Sequence, residues 1–176
     1  MSSAHSSFSD FGLPARSHGD LLPIAALGSE LVRTAVSYWR QLGAGRGLPP
    51  RASMMSCLSP RLTEHAVLVE VLEGGADYEY RQVGGALKLA FDEDFAGRRI
   101  SDLVSSEPRF GLGLRMVYDM ARASGEPLAY RGWVGSDLKG AAFVHHESAI
   151  LPLGEDGVVD YLLQVTALVM RAPSGA

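Results

Sequence analysis

The chain contains a single cysteine, Cys57, among its 176 residues. One cysteine excludes a disulfide framework within the chain and any structural zinc site built from several cysteines. Lysine is almost as scarce, since Lys88 and Lys139 are the only two and the other cations are arginines. Because the net charge is −4 and no dense basic patch occurs, we expect no nucleic-acid partner.

Targeting signals and membrane-spanning runs are also missing. Residues 1–20 are rich in Ser, His and Gly, with no basic start that leads into an apolar stretch. The most apolar run, Val158–Met170, is too short to cross a bilayer as a helix and carries Asp160 near its start. We therefore expect a cytoplasmic protein with no membrane partner, of a length that suits one domain with short appendages.

Motifs of known catalytic sites are absent as well. The chain has no Gly-x-Ser-x-Gly nucleophile elbow, and Gly111-Leu112-Gly113 lies inside a predicted helix, which is the wrong context for a dinucleotide loop. His145 and Glu147 share one face of a predicted strand, but one such pair is too few ligands for a closed metal site. No catalytic or metal-binding residue is predicted, and a small enzyme that uses His145 or Glu147 on an α+β cone is the least favoured alternative.

What the sequence does contain is a set of strands around a helical middle. Asp156-Gly157 separates two apolar runs and is a strong hairpin signal. The second run is interrupted only by Asp160, Gln164 and Thr166, so this strand is covered on both faces or lies centrally in its sheet. Five strands are predicted, at residues 64–73, 78–83, 128–134, 143–151 and 158–170.

The remaining periodicity is helical. Ser29 is a suitable N-cap for a helix over residues 29–42, and further helices fall between the second and third strands. The pattern predicts an α+β fold with a five-stranded antiparallel sheet in the order 2-1-5-4-3, helices on one face and an N-terminal flanking helix. Three regions are expected, namely a disordered or loosely ordered tail at 1–28, the flanking helix and linker at 29–63, and the domain at 64–172.

Four local strings follow one another along the chain. They are Tyr38-Trp39-Arg40 with Leu48-Pro49, Tyr78-Glu79-Tyr80-Arg81-Gln82-Val83-Gly84, Phe95-Ala96-Gly97-Arg98-Arg99-Ile100-Ser101-Asp102-Leu103, and Ile150-Leu151-Pro152-Leu153-Gly154-Glu155-Asp156-Gly157 followed by Val159-Asp160. In this order the strings resemble the PAS family, and more narrowly the single-domain PAS-like proteins of alphaproteobacteria. The resemblance covers roughly residues 29–170. The chain departs from that family at Gly85, where threonine is usual, and at Asp92 and Glu93, where a glycine and a basic residue are common.

The resemblance implies a sensory or regulatory module that binds a small, mostly apolar ligand and signals through protein–protein contacts. The helix at residues 29–42 would be the output element and the interface of a homodimer. The alternative is an interaction or dimerisation module with a filled core and no ligand. The cofactor is unknown. Haem is disfavoured because residues 84–125, the helical segment, contain no histidine. Covalent flavin photochemistry is disfavoured because Cys57 precedes the first predicted strand and so lies outside the helical segment.

The candidate pocket wall consists of mostly apolar or aromatic residues on elements that we expect to face one another. These are Tyr80, Leu87, Phe91, Phe95, Ile100, Phe110, Leu114, Val117, Trp133 and His145. They either line a cavity or fill a core, and the sequence leaves both open. Arg98 and Arg99 are candidate contacts for a carboxylate or phosphate group of a ligand, or solvated arginines that pair with the acidic residues 92–94.

Overall fold

The computed structural model describes residues 19–45, 47–91, 93–133 and 143–170 as an α+β fold. Its strands are β1 (Gly19–Leu22), β2 (Ala66–Leu72), β3 (Asp77–Val83), β4 (Leu128–Trp133), β5 (Phe143–Glu155) and β6 (Val158–Met170). Its helices are α1 (Glu30–Gly43), α2 (Arg51–Cys57), α3 (Pro60–Glu64), α4 (Gly85–Phe91), α5 (Ile100–Ser106) and α6 (Pro108–Ser124). None of the helices in these ranges has both the length and the apolar character needed to span a bilayer.

The strands form one six-stranded antiparallel sheet in the order β1-β4-β5-β6-β2-β3. The prediction of five strands is therefore wrong in count, and the order differs from 2-1-5-4-3 because a sixth strand is added at one edge. Gly19–Leu22, which we expected within a tail, pairs with β4 and takes the edge position that had been predicted for β4. The strand is only four residues long and shows no clear alternation, so its sequence carries no strand signal. The other five strands keep their predicted neighbours.

The β5–β6 hairpin forms at the predicted turn. Glu155 pairs with Val158, so Asp156 and Gly157 are its two loop residues. Both have positive φ, at 52° and 78°, which is the conformation of a type I′ turn and explains why Asp-Gly stands there. The hairpin places β6 beside β2 in the interior of the sheet, as the predicted strand order has it.

Helices cover both faces of this sheet. We call the face under α4, α5 and α6 the inner face and the face under α1, α2 and α3 the outer face. Along β2, Val67 and Val69 belong to the inner core, while Ala66 and Leu68 belong to the outer core. The expectation of helices on one face is therefore corrected, because the predicted flanking helix and linker form the cover of the second face.

Helix α1 attaches the outer cover to the sheet. Its N-cap is Ser29, as predicted, whose Oγ accepts a hydrogen bond from the Val32 backbone N–H at 3.3 Å. One side of the helix is buried on the sheet, through Val32, Ala35, Val36 and Trp39. Trp39 Nε1 donates a hydrogen bond of 2.6 Å to the buried Pro152 carbonyl of β5. This bond ties the middle of the helix to the sheet.

Replacing Trp39 tests this tie. Trp39→Phe leaves the Pro152 carbonyl buried without its donor, which is expected to lower the free energy of unfolding by about 1–3 kcal/mol, as measured by urea denaturation. Tyr38→Phe, at the half-buried neighbouring position on the same helix, is the control and should change it by less than about 0.5 kcal/mol. Equal losses in the two variants would contradict the role given to the indole.

Candidate functional site

Most of the predicted pocket wall lies together on the inner face. Tyr80, Leu87, Ile100, Leu114 and Val117 are buried in the inner core, and Phe91 and Phe95 pack against it. The Tyr80 and Phe95 rings meet edge to face with centroids 4.9 Å apart. Phe110 is separate, because 48% of it is exposed on α6. The side chains of Trp133 and His145 lie outside the described part of the structure.

A chain of polar side chains crosses this core between α6 and the sheet. Tyr118 of α6 donates its hydroxyl proton to Gln164 Oε1 of β6 at 2.7 Å. Gln164 Nε2 donates to the Tyr130 hydroxyl of β4 at 3.0 Å. The Tyr80 hydroxyl lies 3.5 Å from that of Tyr118. A helix and three strands therefore contribute to one hydrogen-bonded group.

The chain continues along β5 and β6. Gln164 Nε2 also reaches Thr166 Oγ1 at 3.3 Å, and the Thr166 and Ser148 hydroxyls are 2.9 Å apart. Ser148 Oγ lies 3.1 Å from His146 Nδ1, and the His146 ring stands edge-on to that of Tyr130. Because Ser148 pairs with Thr166 across the ladder and side chains alternate along a strand, these groups share the inner face. We call Tyr80, Tyr118, Tyr130, His146, Ser148, Gln164 and Thr166 the inner polar cluster.

Burial keeps the cluster's tyrosines in their neutral form. It raises the pKa of Tyr80 to about 12, and it raises those of Tyr118 and Tyr130 well above the usual value of 10. For Tyr118, the nearby Tyr80 and Tyr130 hydroxyls act in the same direction. At neutral pH the tyrosines of the cluster therefore offer uncharged donors and acceptors, an arrangement that recognises uncharged polar groups.

Tyr78 belongs to a neighbouring hydrogen-bonded group on α6, and its ring centroid lies 5.4 Å from that of Tyr118. Its hydroxyl donates to Asp119 Oδ1 at 2.5 Å and accepts from Arg122 Nε at 3.3 Å. Burial, and then the hydrogen bond to Asp119, raise the pKa of Tyr78 to about 12. In the described part of the chain, each buried side-chain nitrogen and oxygen has a hydrogen-bond partner.

Glu147 lies between His146 and Ser148 but points to the outer face. Its carboxylate accepts hydrogen bonds from Ser29 N at 2.7 Å, Gly28 N at 3.2 Å and Arg131 Nη2 at 2.8 Å. Burial acts to raise the pKa of Glu147, but these three hydrogen bonds outweigh it and the pKa is lowered. Glu147 therefore fixes the start of α1. In the ranges that the structure describes, no three His, Cys, Asp or Glu side chains are grouped to hold a metal ion.

Arg98 and Arg99 lie outside the inner polar cluster. Arg98 pairs with Glu93 at 2.7 Å, as one of the two predictions had it, while Arg99 lies 3.4 Å from Glu79 of β3. Both ion pairs are exposed and contribute little. The backbone matters more, because the Arg98 carbonyl accepts from Tyr80 N, and this segment covers the free edge of β3.

A pocket of about 50 Å³ opens on the outer face, opposite the predicted site. Its lining is mostly apolar and consists of Met55, Thr63, Ala66, Leu68, Gln82, Val83, Gly84 and Leu163. None of the predicted wall residues takes part. Its volume would accommodate no more than a small group.

Sequence reasoning missed most of the inner polar cluster. Gln164 and Thr166 were visible as polar interruptions two residues apart in an apolar strand, which is the spacing of one strand face. That spacing was the available signal. Their partners Tyr118, Tyr130 and Ser148 come from other elements, and nothing local in the sequence connects them.

A scan against protein-family models finds no match, and no curated protein matches the chain. The PAS resemblance therefore stays a prediction. The antiparallel α+β architecture is compatible with it.

The raised tyrosine pKa values predict how stability depends on alkaline pH. Because the folded pKa values exceed the unfolded value of 10, their contribution is complete below pH 10 and is lost as pH rises towards about 12. Tyr118→Phe should flatten this decline, as measured by denaturant unfolding across that range. Tyrosinate absorbance of the folded protein supplies the check, since ionisation of the buried tyrosines near pH 10 would contradict their neutral burial.

Glu147→Gln tests the anchor of α1. Because the folded pKa is lowered, the carboxylate's contribution is present above its usual value of 4.5 and is lost as pH falls through the folded pKa. The variant should lose about 1.5–3 kcal/mol of unfolding free energy at neutral pH and most of that acid dependence. Glu155→Gln, at the exposed end of the same strand, is the control. A variant that keeps the acid dependence of the native chain would refute the assignment.

Proposed function

We propose that this protein is a PAS-type regulatory module of the cytoplasm that binds a small molecule at the inner polar cluster and acts through protein–protein contacts. The observation that carries the proposal is the position of the cluster. It lies within an otherwise apolar core, between the sheet and the helix that covers it.

Stability alone does not require such a cluster. Buried polar groups are costly unless they are hydrogen-bonded, and replacing both partners of a pair by apolar groups of the same shape is close to neutral. A binding site, in contrast, needs a few placed polar groups within an apolar surround. The cluster has this composition, with Tyr118, Tyr130 and Gln164 among buried aliphatic residues such as Ile150 and Leu162.

The chemistry of the cluster indicates the class of ligand. Its tyrosines are neutral, and amide, hydroxyl and imidazole groups supply the remaining donors and acceptors. The proposed ligand is accordingly uncharged and mostly apolar, with one or two hydrogen-bonding groups that replace contacts such as Tyr118–Gln164. The proposal assigns no ligand contact to Arg98 and Arg99, because they pair with Glu93 and Glu79 at the edge of β3.

Movement of the short helices would provide the room. Helices α4 and α5 have seven residues each, a length that is unstable without tertiary packing. Leu87 and Ile100 attach them to the inner core, with the half-buried Phe91 and Phe95 between them. Segments of this kind open locally at low free-energy cost, so they can rearrange around a ligand.

A second candidate function is an interaction module with a filled core and no ligand. The mutual packing of the predicted wall residues favours it, as does the internal pairing of the cluster. In either case a homodimer through residues 29–42 would have to use the exposed polar side of α1, including Arg33, Ser37 and Arg40. The apolar side of that helix is buried on its own sheet.

The deciding experiment combines native mass spectrometry of the full chain with a thermal-shift screen of uncharged small molecules. We expect a compound that either copurifies or raises Tm. Tyr118→Phe should weaken the binding of that compound about tenfold, because it removes one hydrogen bond between the Tyr118 hydroxyl and the compound.

Tyr78→Phe is the matched control, because it removes the hydroxyl of another tyrosine in the same core that bonds to Asp119 instead of Gln164. Its binding should equal that of the native chain. Equal weakening in both variants would contradict a ligand contact at Tyr118, and no compound in either assay would favour the filled-core module.

A further inference from the structure

The edge strand β1 occupies a site on β4 that receives it on both faces. Its register runs from Gly19 opposite Gly132 to Leu22 opposite Ala129. Leu21 packs against the inner core and Leu22 against the outer core. The edge of β4 therefore accepts an extended segment that carries two successive aliphatic residues.

The chain that follows β1 is fixed independently of the strand. Glu147 accepts the backbone N–H groups of Gly28 and Ser29, and Arg33 Nη1 donates to the Leu27 and Gly28 carbonyls at 3.2 Å each. The segment that precedes α1 is thus held by Glu147 of the sheet and by Arg33 of the helix. Release of β1 would leave α1 in place.

Residues 23–27 connect these two fixed points. Pro23 and Leu27 are already extended, and between them a single turn of 3-10 helix, Ile24–Ala26, is closed by hydrogen bonds of 2.8 and 3.2 Å. Opening this turn lets the six steps from Leu22 to Gly28 span about 20 Å. That reach is sufficient to cross to a neighbouring molecule whose β4 edge lies alongside.

We propose that the β4 edge is a strand-acceptor site, and that β1 of a second copy of this chain occupies it by strand exchange. Exchange keeps every β1–β4 contact, because the same residues pair in the same register, so its cost is confined to association and to the opened turn, which includes the packing of Ile24 on the outer core. The sequence shown to fit the site is that of β1 itself. For that reason the occupant is a second copy of this chain.

The opposite edge of the sheet does not offer an equivalent site. Along β3, Tyr80 N donates to the Arg98 carbonyl and Gly97 N donates to the Tyr80 carbonyl. Arg99 forms a β-bridge with Glu79. A segment of the same chain therefore covers that edge, and exchange at β4 gives a closed, two-fold dimer instead of a continuing assembly.

Crosslinking of two differently labelled full-length chains tests the exchange. In a Cys57→Ser background, a chain with Leu22→Cys is mixed with a chain with Ala129→Cys, since these positions face each other across β1 and β4. We expect disulfide heterodimers to form about tenfold faster than in a control mixture of Leu22→Cys with Ser105→Cys, whose site is exposed on α5. Equal rates in the two mixtures would overturn the proposal.

A change of connector length gives a second measurement. Deleting the exposed Ala25 and Ala26 removes most of the 3-10 turn, and a short hinge favours strand exchange over pairing within one chain. The shortened chain should shift from monomer to dimer in light scattering coupled to gel filtration, and a chain lengthened there by Gly-Ser pairs should stay monomeric. A shortened chain that is folded and monomeric would overturn the proposal, and if it does not fold, the crosslinking rates decide.

Discussion

The pairing of β2 with β6 is the constraint on which the rest of the structure depends. Both strands lie inside the sheet and are apolar on both sides, as successive residues Leu162 and Leu163 show by joining the inner and outer cores. Apolar surface on two faces requires two covers, because an exposed face of this size would cause association. The chain provides them from opposite sides in sequence, α1 to α3 before β2 and α4 to α6 after β3.

Strand alternation then gives β5 two different tasks. His146 and Ser148 point to the inner face and enter the polar cluster, whereas Glu147 between them points outward and holds the root of α1. These three successive residues therefore serve both faces of the sheet. A one-residue shift of β5 would exchange these roles and bury the carboxylate in the inner core, so the pairing of Glu147 with Ser29 and Arg131 also fixes the register of the sheet.

How much the sequence predicts depends on how local the signal is. Asp156-Gly157 specifies its hairpin through two backbone conformations, and Ser29 caps a helix through one hydrogen bond, so both are visible in a few residues. Strand β1 is not visible in this way, because Gly-Asp-Leu-Leu becomes a strand by pairing with β4, which lies more than a hundred residues later in the sequence. The inner polar cluster is intermediate. Gln164 indicates a polar position on an apolar strand, but the identity of its hydrogen-bond partners depends on the packing of α6.

Within the proposed function, Tyr118 is the residue through which a ligand would act on the helical cover. It is the member of the cluster that belongs to α6, and its bond to Gln164 links that helix to β6. The same helix holds the β2–β3 turn, because Arg115 Nη2 donates to the Ala76 carbonyl at 2.8 Å and Asp119 accepts from Tyr78. In the proposed function, a ligand that replaces the Tyr118–Gln164 bond would change the position of α6 relative to β6, and these contacts would carry the change to the β3 edge. The difference in the ligand's affinity for the two positions of α6 would set how far the equilibrium between them shifts.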